Sequence, residues 1–194
     1  MQTTLDVINE MLGSMGQRPV NSLDSTNRMV SIASGVLSRT RANILANGWW
    51  FNTEWATLQP SAADSRIYLP NDYLGVIGGE CPQYVMRGRQ LYDTLNGTDL
   101  FEDGVTVQIV RSLSQEDLPH TVAAYVAAAA VLKFQRDYDG DSTKTAQLNR
   151  EYENARILAN ADHIRNLKAN IKESVPVLVN IRRMTRGYFG GYRR

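Results

Sequence analysis

Apolar residues recur at helical spacing over the first forty-eight residues of the chain. The first stripe consists of Leu5, Ile8, Met11, Leu12 and Met15. Thr4 is the residue expected to cap this helix, and Gly16 ends it. The second stripe consists of Met29, Ile32, Ala33, Val36, Leu37, Ile44 and Leu45. Asp24 or Ser25 is expected to cap that helix, and the Asn-Gly pair at residues 47–48 to end it.

Between residues 49 and 113 the pattern changes to short β-type segments separated by turn residues. Strands are expected over residues 55–58, 66–69, 83–87, 90–94 and 105–111, with a short helix or strand over residues 72–77. Gly88 and Arg89 mark a hairpin between two of these strands. The pattern therefore predicts a β-rich segment that interrupts the helices.

Helical periodicity returns after residue 113. Ser114 with Asp117 resembles a capping box, which predicts a helix from about Gln115 to Tyr138 with Pro119 in its first turn. The alanine-rich middle of this helix allows either close helix packing or a crowded symmetric interface. Residues 139–141, Asp-Gly-Asp, break the helix.

A further helix is expected from Ser142, as its cap, to about Lys172. The order of the segments predicts an α+β protein: a helix bundle with an inserted β-rich domain and an extended C-terminal arm. The expected division is a bundle of about four helices from residues 1–48 and 114–173, a β-rich insert from residues 49–113, and a C-terminal docking arm from residues 174–194.

The composition is that of an ordinary globular protein, with 43% hydrophobic and 21% charged residues. The longest apolar run, residues 121–132, is mostly alanine and too short to span a bilayer, and no secretory signal is evident, so we expect no membrane anchor. A single cysteine, Cys81, excludes an internal disulfide and a multi-cysteine metal site. The cytoplasm of the producing cell is the simplest compartment.

Positive charge is concentrated at the C-terminal end of the chain. Residues 182–194 hold five arginines, three aromatic residues and no acid, whereas the whole chain has a net charge of only +1. Such a segment suits either a nucleic acid, with arginine on phosphate and rings on bases, or a groove in a partner protein. The apolar residues 175–181 before it and the absence of another basic patch favour the protein groove. The candidate contact residues are Arg182, Arg183, Arg186, Tyr188, Phe189, Tyr192, Arg193 and Arg194.

Three adjacent aromatic residues, Trp49, Trp50 and Phe51, directly follow the second helix. In a strand they would place large rings on both sides. The favoured interpretation is a hinge that packs the sheet onto the bundle. The alternative is a partner-facing anchor at Trp49 and Trp50, because tryptophan is common among interface hot spots.

No motif identifies a cofactor, a metal or a catalytic centre. Residues 137–144, DYDGDSTK, fail as a calcium loop because glycine stands fourth rather than sixth. His120 and His163 lie on different expected helices without a metal-ligating partner at helical spacing. We therefore expect a protein that is not an enzyme. A glycosidase pair of carboxylates stays open as an alternative, drawn from Asp64, Asp72, Glu80, Asp93, Asp99, Glu102 and Asp103.

Four segments occur in an order that is familiar from one family of viral proteins. They are VINEMLGSMGQRPVNSL, ILANGWWFNTE, YLPNDYLGV with YVMRGRQLYDTLNGTDLFEDGVTVQIVRS, and the helix after EDLP. On these segments the chain resembles the tail tubular protein A family of short-tailed podoviruses, the head-to-tail adaptors. The resemblance covers roughly residues 5–140, and the last fifty residues share only its general character.

The resemblance implies a structural adaptor of the virion tail, made in the host cytoplasm. It implies a homo-oligomeric ring, dodecameric in the family, between the portal protein and the tail nozzle (tubular protein B). It also implies non-specific contact with phage DNA in the channel and tail fibres nearby. On this hypothesis the bundle builds the ring, the insert docks the nozzle and residues 175–194 dock the portal. The alternatives are a nucleic-acid-binding protein that uses the basic arm and a tail-associated polysaccharide hydrolase.

Overall fold

The structure, a computed structural model, describes residues 2–24, 27–77 and 83–174. The eight candidate contact residues of the C-terminal arm therefore lie outside the described residues, as do Cys81 and Glu80.

The described residues form four helices and five strands. The helices are α1 (Thr4–Ser14), α2 (Arg28–Leu45), α3 (His120–Tyr138) and α4 (Ser142–Ser174). The strands are β1 (Thr53–Leu58), β2 (Tyr73–Ile77), β3 (Tyr84–Arg87), β4 (Gln90–Asp93) and β5 (Val105–Arg111). The predicted α+β class is therefore confirmed.

Helix α3 is the centre of the helical part and packs against the three other helices. Its side chains Ala123, Ala127 and Ala130 are buried, so small residues let the neighbouring helices approach closely. Larger buried side chains, among them Ile8, Leu37 and Phe134, fill the remaining space. Of the two uses that the sequence left open for the alanine-rich stretch, the structure shows close helix packing.

Two predicted helix caps are displaced along the chain. Thr3, rather than Thr4, caps α1, because its side chain accepts from the Asp6 backbone N–H while the Asp6 carboxylate accepts from that of Thr3. Asn27, rather than Asp24 or Ser25, caps α2, with its side-chain oxygen on the Met29 N–H at 3.0 Å. Local side-chain geometry, which the apolar pattern does not contain, decides between neighbouring polar residues.

The third and fourth helices also start differently from the prediction. Helix α3 begins at His120, five residues later than expected, although Ser114 Oγ does donate to Asp117 at 2.7 Å. Pro119 sits at the N-cap in an extended conformation, and its ring disfavours helical geometry at the residue before it. The cap of α4 comes from Asp141 and not from Ser142, since the Asp141 carboxylate accepts from the N–H groups of Thr143 and Lys144.

The β-rich part contains a three-stranded antiparallel sheet, in the order β1-β5-β2, and the separate β3-β4 hairpin. The pairing of β1 with β5 is regular from Thr53↔Val110 to Leu58↔Val105, whereas β2 shifts register between Tyr73 and Gly75. The expected hairpin at Gly88 and Arg89 is confirmed. A second apolar cluster lies here and contains Leu58, Ile67, Leu69, Leu91, Phe101, Val107 and Ile109.

The strand predicted over residues 66–69 is wrong. Ile67 and Leu69 are buried and Tyr68 is exposed, so the alternation is real, but the segment makes only isolated bridges. Arg66 pairs with Leu100 and Tyr68 with Gln90, which are different neighbours. Ser65 on one side has φ of 58°, and Pro70 on the other lacks an N–H, so too few residues remain for a ladder. The predicted domain boundaries at residues 49 and 113 stay a prediction.

Candidate functional site

The sharp turn after α2 brings the helices and the sheet together. Gly48 adopts φ of 74°, which favours glycine. A Cβ at this position would lie 3.3 Å from Ile77 Cδ1 and 3.3 Å from Thr53 Oγ1. The positive φ therefore favours glycine where the chain leaves the bundle and enters β1, and a Cβ there would also press on Ile77 and Thr53.

The three aromatic residues after Gly48 form a turn, so the predicted strand with rings on both sides is wrong. Trp49 is only 4% exposed, and its indole N–H donates to the Ile44 carbonyl at 2.8 Å. Its ring lies 5.2 Å from the His163 ring and 6.3 Å from Tyr125, measured between centroids. Trp50 is half-buried. The rings thus pack the turn onto the bundle, as the favoured interpretation holds.

Asn52 closes this turn through both ends of its amide. Its Oδ1 accepts from the Trp49 N–H at 2.7 Å, and its Nδ2 donates to the carbonyls of Leu45 at 3.0 Å and Arg111 at 2.8 Å. The side chain is 2% exposed, so these hydrogen bonds are made away from water. Asn52 therefore joins the end of α2, the aromatic turn and the end of β5. The apolar pattern of the sequence does not indicate this role of Asn52, whose only signal is that it is a polar residue directly after three aromatic ones.

His163 connects α4 to the same turn. Its Nδ1 accepts from the Trp50 backbone N–H at 3.4 Å, and its ring lies against both tryptophans. Burial lowers the pKa of this imidazole below its usual value of 6.5, so the neutral ring is favoured. His120 is exposed at the start of α3 and is not part of this arrangement. Within the described ranges, no three metal-ligating side chains come together.

The described carboxylates of the β-rich part are mostly held by hydrogen bonds. Arg111 pairs with Asp72 at 2.8 Å and with Glu54 at 3.1 Å, and the hydrogen bond from Arg111 lowers the pKa of Asp72. A hydrogen bond from Tyr68 lowers the pKa of Asp64. Burial opposes the charged form of Asp93, but hydrogen bonds, led by those from Asn96, lower its pKa. These three shifts run against the raised pKa that a general acid requires.

A small cavity of about 220 Å³ lies at the start of α3. It is lined by Gln2, Gln115, Leu118, Pro119, His120 and Ala123. The buried Gln115 Nε2 donates to the Ala123 carbonyl at 3.1 Å. No carboxylate lines this cavity, and its polar groups do not form an acid–base pair.

Two further apolar surfaces are exposed. The outer face of α4 carries Ile157 and Leu158, each 60% exposed, followed by Ile164 at 50% and Leu167 at 39%. On strand β1, Trp55 is 57% exposed. Such surfaces are typical of contacts with other proteins.

Comparison with known proteins decides which family this fold belongs to. The family model described as tail tubular protein matches residues 5–168, which include all five strands and most of the four helices. The chain belongs to the tail tubular protein family. It is also similar to tail tubular protein A of Klebsiella phage KP34, with 32% identity over 164 residues, covering 84% of this chain and 87% of that protein. The family resemblance predicted from the sequence is confirmed.

Family membership makes the chain a structural component of a viral tail. In the part of the chain that the structure describes, no helix is both long enough and apolar enough to cross a membrane. Of the predicted contact residues, only Trp49 and Trp50 are described, and they lie side by side in the aromatic turn. Their role in partner contact stays a prediction, and half-buried Trp50 keeps more surface for it than Trp49.

Proposed function

We propose that the protein is the head-to-tail adaptor of a short-tailed bacteriophage. Copies of the chain form a ring, dodecameric as the resemblance implies, that joins the portal to the tail nozzle and lets the genome pass. The observation that supports the proposal is the family match across residues 5–168. The protein acts by assembly and not by catalysis, and its contact with DNA in the channel is non-specific.

The outer face of α4 is the surface that best suits lateral contact between copies. Ile157, Leu158 and Ile164 project from it, half exposed or more, on a helix whose other side packs on α3. Ala123, Ala127 and Ala130 of α3 are buried inside the chain and the other three alanines are half-buried, so α3 leaves less apolar surface for a neighbour than α4. A ring contact through α4 would remove these apolar side chains from water.

The arm and the insert each contact one of the two other partners, the portal and the nozzle protein. Residues 175–194 dock the portal through arginine and aromatic anchors, and residues 49–113 dock the nozzle protein, near the attachment of the tail fibres. Arginine suits this role because its planar fork makes paired hydrogen bonds that lysine does not make.

Association with the portal tests the arm. A chain that ends at residue 181 should lose binding to the portal protein in a pull-down or mass measurement. As a matched control, an arm with all five arginines changed to lysine keeps its charge. Anchoring in a protein groove predicts that this arm also binds weakly, whereas general electrostatic attraction predicts normal binding. Unchanged portal association without the arm would contradict the proposal.

The assembly state tests the lateral contact. The double variant Ile157→Glu with Ile164→Glu should not form rings in electron micrographs, because it places charge on the apolar face. Gln147→Glu, at an exposed position of the same helix about 15 Å before Ile157, is the matched control and should form rings normally. Circular dichroism checks that each variant keeps its helices. Rings that form equally well in the double variant would rule out this face.

Two measurements distinguish the alternative functions. A nucleic-acid-binding protein would bind DNA in a salt-sensitive manner that is lost with residues 182–194. A polysaccharide hydrolase would release reducing sugar, and a single replacement of an Asp or Glu in the insert would abolish the release.

A further inference from the structure

Strand β1 is an open edge of the three-stranded sheet. It pairs with β5 on one side, from Thr53 to Leu58, and stands last in the strand order. Among the described residues, Thr53–Leu58 make no backbone hydrogen bond outside that pairing. In an antiparallel pair, alternate residues of an edge strand direct their N–H and C=O groups away from the partner. The edge therefore offers a row of hydrogen-bonding groups to a further strand.

This edge lacks the features that usually prevent strand addition. It contains no proline, its register with β5 is regular without a bulge, and Glu54 is its only charged residue. Trp55 is 57% exposed on it, and its register partner Gln108 is half-buried. A side chain from an added strand could pack against the indole ring as a cross-strand neighbour. The edge of β1 can therefore pair with a further strand that places a side chain beside Trp55.

The chain itself contains a suitable segment. Twenty residues follow Ser174, and they begin with Val-Pro and the apolar sequence VLVNI at residues 177–181. Three of these five residues are β-branched, a composition that favours strands. Their number nearly matches the six residues of β1. The proline before them can turn the chain after α4.

Helix α4 contacts the turn that leads into β1. His163 contacts Trp50, which lies three residues before β1 begins. Eleven helical residues follow His163, a rise of about 16 Å, which is close to the length of β1. Ser174, at the end of α4, therefore lies about one strand length along the helix from the residue that contacts this turn.

Opposite charge favours the same pairing. Residues 49–113 contain eight acidic and four basic side chains, a net charge of −4, whereas residues 182–194 carry five arginines and no acid. Glu102 and Asp103, in the loop before β5, are exposed and form no ion pair with the described residues. In the isolated chain, where no portal engages the arginines, a segment that lies along β1 would bring them beside this acidic insert.

We propose that residues 177–181 add to the free edge of β1 as a further strand of the sheet in the same chain. Backbone hydrogen bonds supply the affinity, and side chains beside Trp55 set the register. The tether holds the segment at an effective concentration in the millimolar range, so it outcompetes the same segment of another copy in dilute solution. The pairing does not depend on a ring or on a portal.

Residue-resolved amide exchange on the isolated full chain tests the pairing. Adjacent residues of an added strand direct their N–H groups alternately towards and away from β1. Of the variants Leu178→Pro and Val179→Pro, one should therefore raise the exchange of the outward amides of β1 by about tenfold or more, and the other should leave it unchanged. Equal effects of the two prolines, or no effect of either, would overturn the proposal.

Truncation provides a second and independent measurement. A chain that ends at residue 181 should keep the slow exchange of β1, and a chain that ends at residue 174 should lose it, with the amides of α3 as the internal reference for folding. Exchange that is equally fast in the full chain and in the chain ending at residue 174 would refute the pairing. Protection that grows with protein concentration would assign the edge to another copy and overturn the same-chain arrangement. A variant that loses portal binding but keeps the protection of β1 would contradict only the proposed adaptor function. A variant that keeps portal binding but loses the protection of β1 in the way excluded above would contradict only the strand pairing.

Discussion

At the scale of single residues, Asn52 connects more of the molecule than any residue that the sequence pattern singled out. It is buried and satisfies the Trp49 N–H and the carbonyls of Leu45 and Arg111. Only an amide offers an acceptor and two donors in this geometry. An aspartate would keep the acceptor and lose both donors.

Replacing Asn52 by alanine should therefore lower the free energy of unfolding by about 2–4 kcal/mol, because buried backbone groups lose their partners. Urea denaturation followed by circular dichroism measures the change. Asn47→Ala is the matched control, since Asn47 is exposed at the end of the same helix, and it should stay within about 0.5 kcal/mol of the natural chain. Equal effects of the two replacements would contradict the role of Asn52.

His163 makes the stability of the α4 contact depend on pH. Burial lowers its pKa in the folded chain below the 6.5 of the unfolded chain, so between the two values the unfolded chain binds more protons. The stabilising contribution of the neutral ring is therefore complete above about pH 6.5 and is lost as the pH falls through the folded-state pKa. Protonation also removes the acceptor for the Trp50 N–H.

The difference in free energy of unfolding between the natural chain and His163→Phe should therefore be smaller at pH 5.5 than at pH 7.5. Phenylalanine keeps the ring contacts with the tryptophans and does not titrate. Urea titrations of both chains at the two pH values measure the difference, in which the contributions of all other titrating groups cancel. A difference that stays constant or grows towards low pH would show that His163 is not held neutral.

At the scale of elements, two glycines of the α2 region have opposite requirements. Gly48 has φ of 74° and would place a Cβ 3.3 Å from Ile77 and Thr53, whereas a Cβ on Gly35 in the middle of α2 meets nothing within 4 Å. The first glycine is required by the turn. The second only weakens the helix.

Gly48→Ala should lower the free energy of unfolding by about 1–3 kcal/mol, through the strained backbone and the close contacts. Gly35→Ala should raise it by about 0.5–1 kcal/mol, because alanine favours the helix. The urea midpoints of the two variants measure both changes. A shift of both midpoints in the same direction would refute this assignment.

The helices and most strands could be predicted because their apolar residues recur with the period of an α-helix or of a β-strand. The caps at Thr3, Asn27 and Asp141 could not, since polar neighbours compete there and only side-chain geometry decides. Residues 66–69 show a strand pattern without a strand, because Ser65 and Pro70 limit the segment. Local composition cannot reveal which distant segments flank it.

At the scale of the whole molecule, the buried apolar side chains form two clusters. One contains residues of the four helices with Trp49, and the other lies in the β-rich part around Leu91. Asn52 and the turn beside it connect them. The predicted division into a bundle and an insert requires that the second cluster can open while the first stays folded.

Leu91→Ala removes a side chain with no exposed surface and should destabilise the insert by about 2–4 kcal/mol. The amides of β4 and β5 should then exchange faster, while those of α3 change less. Phe134→Ala, in the bundle, is the reciprocal control and should accelerate exchange in α3. If Leu91→Ala accelerates exchange equally everywhere, the chain opens as one unit and the division fails.

The candidate site was only partly accessible from the sequence. The composition of residues 182–194 and the aromatic run at Trp49 and Trp50 are visible in one chain, because charge and ring clusters need no structure to be recognised. The junction made by Asn52, Arg111 and His163 joins residues more than fifty positions apart, and only folding brings them together. A ring contact forms between the surfaces of two copies, and the sequence of one chain does not show which surfaces meet.

Helix α4 is longer than α3, the helix on which it packs. Its 33 residues run about 50 Å, against about 28 Å for the 19 residues of α3. Ala159 and His163 fix it to the bundle and to the aromatic turn, and the eleven residues from His163 to Ser174 rise about 16 Å further. A tilt of about 10° at that point would displace the helix end by about 3 Å. A slight adjustment of the packing around Ala159 and His163 thus becomes a movement of about 3 Å at the end of the helix, from which the last twenty residues continue.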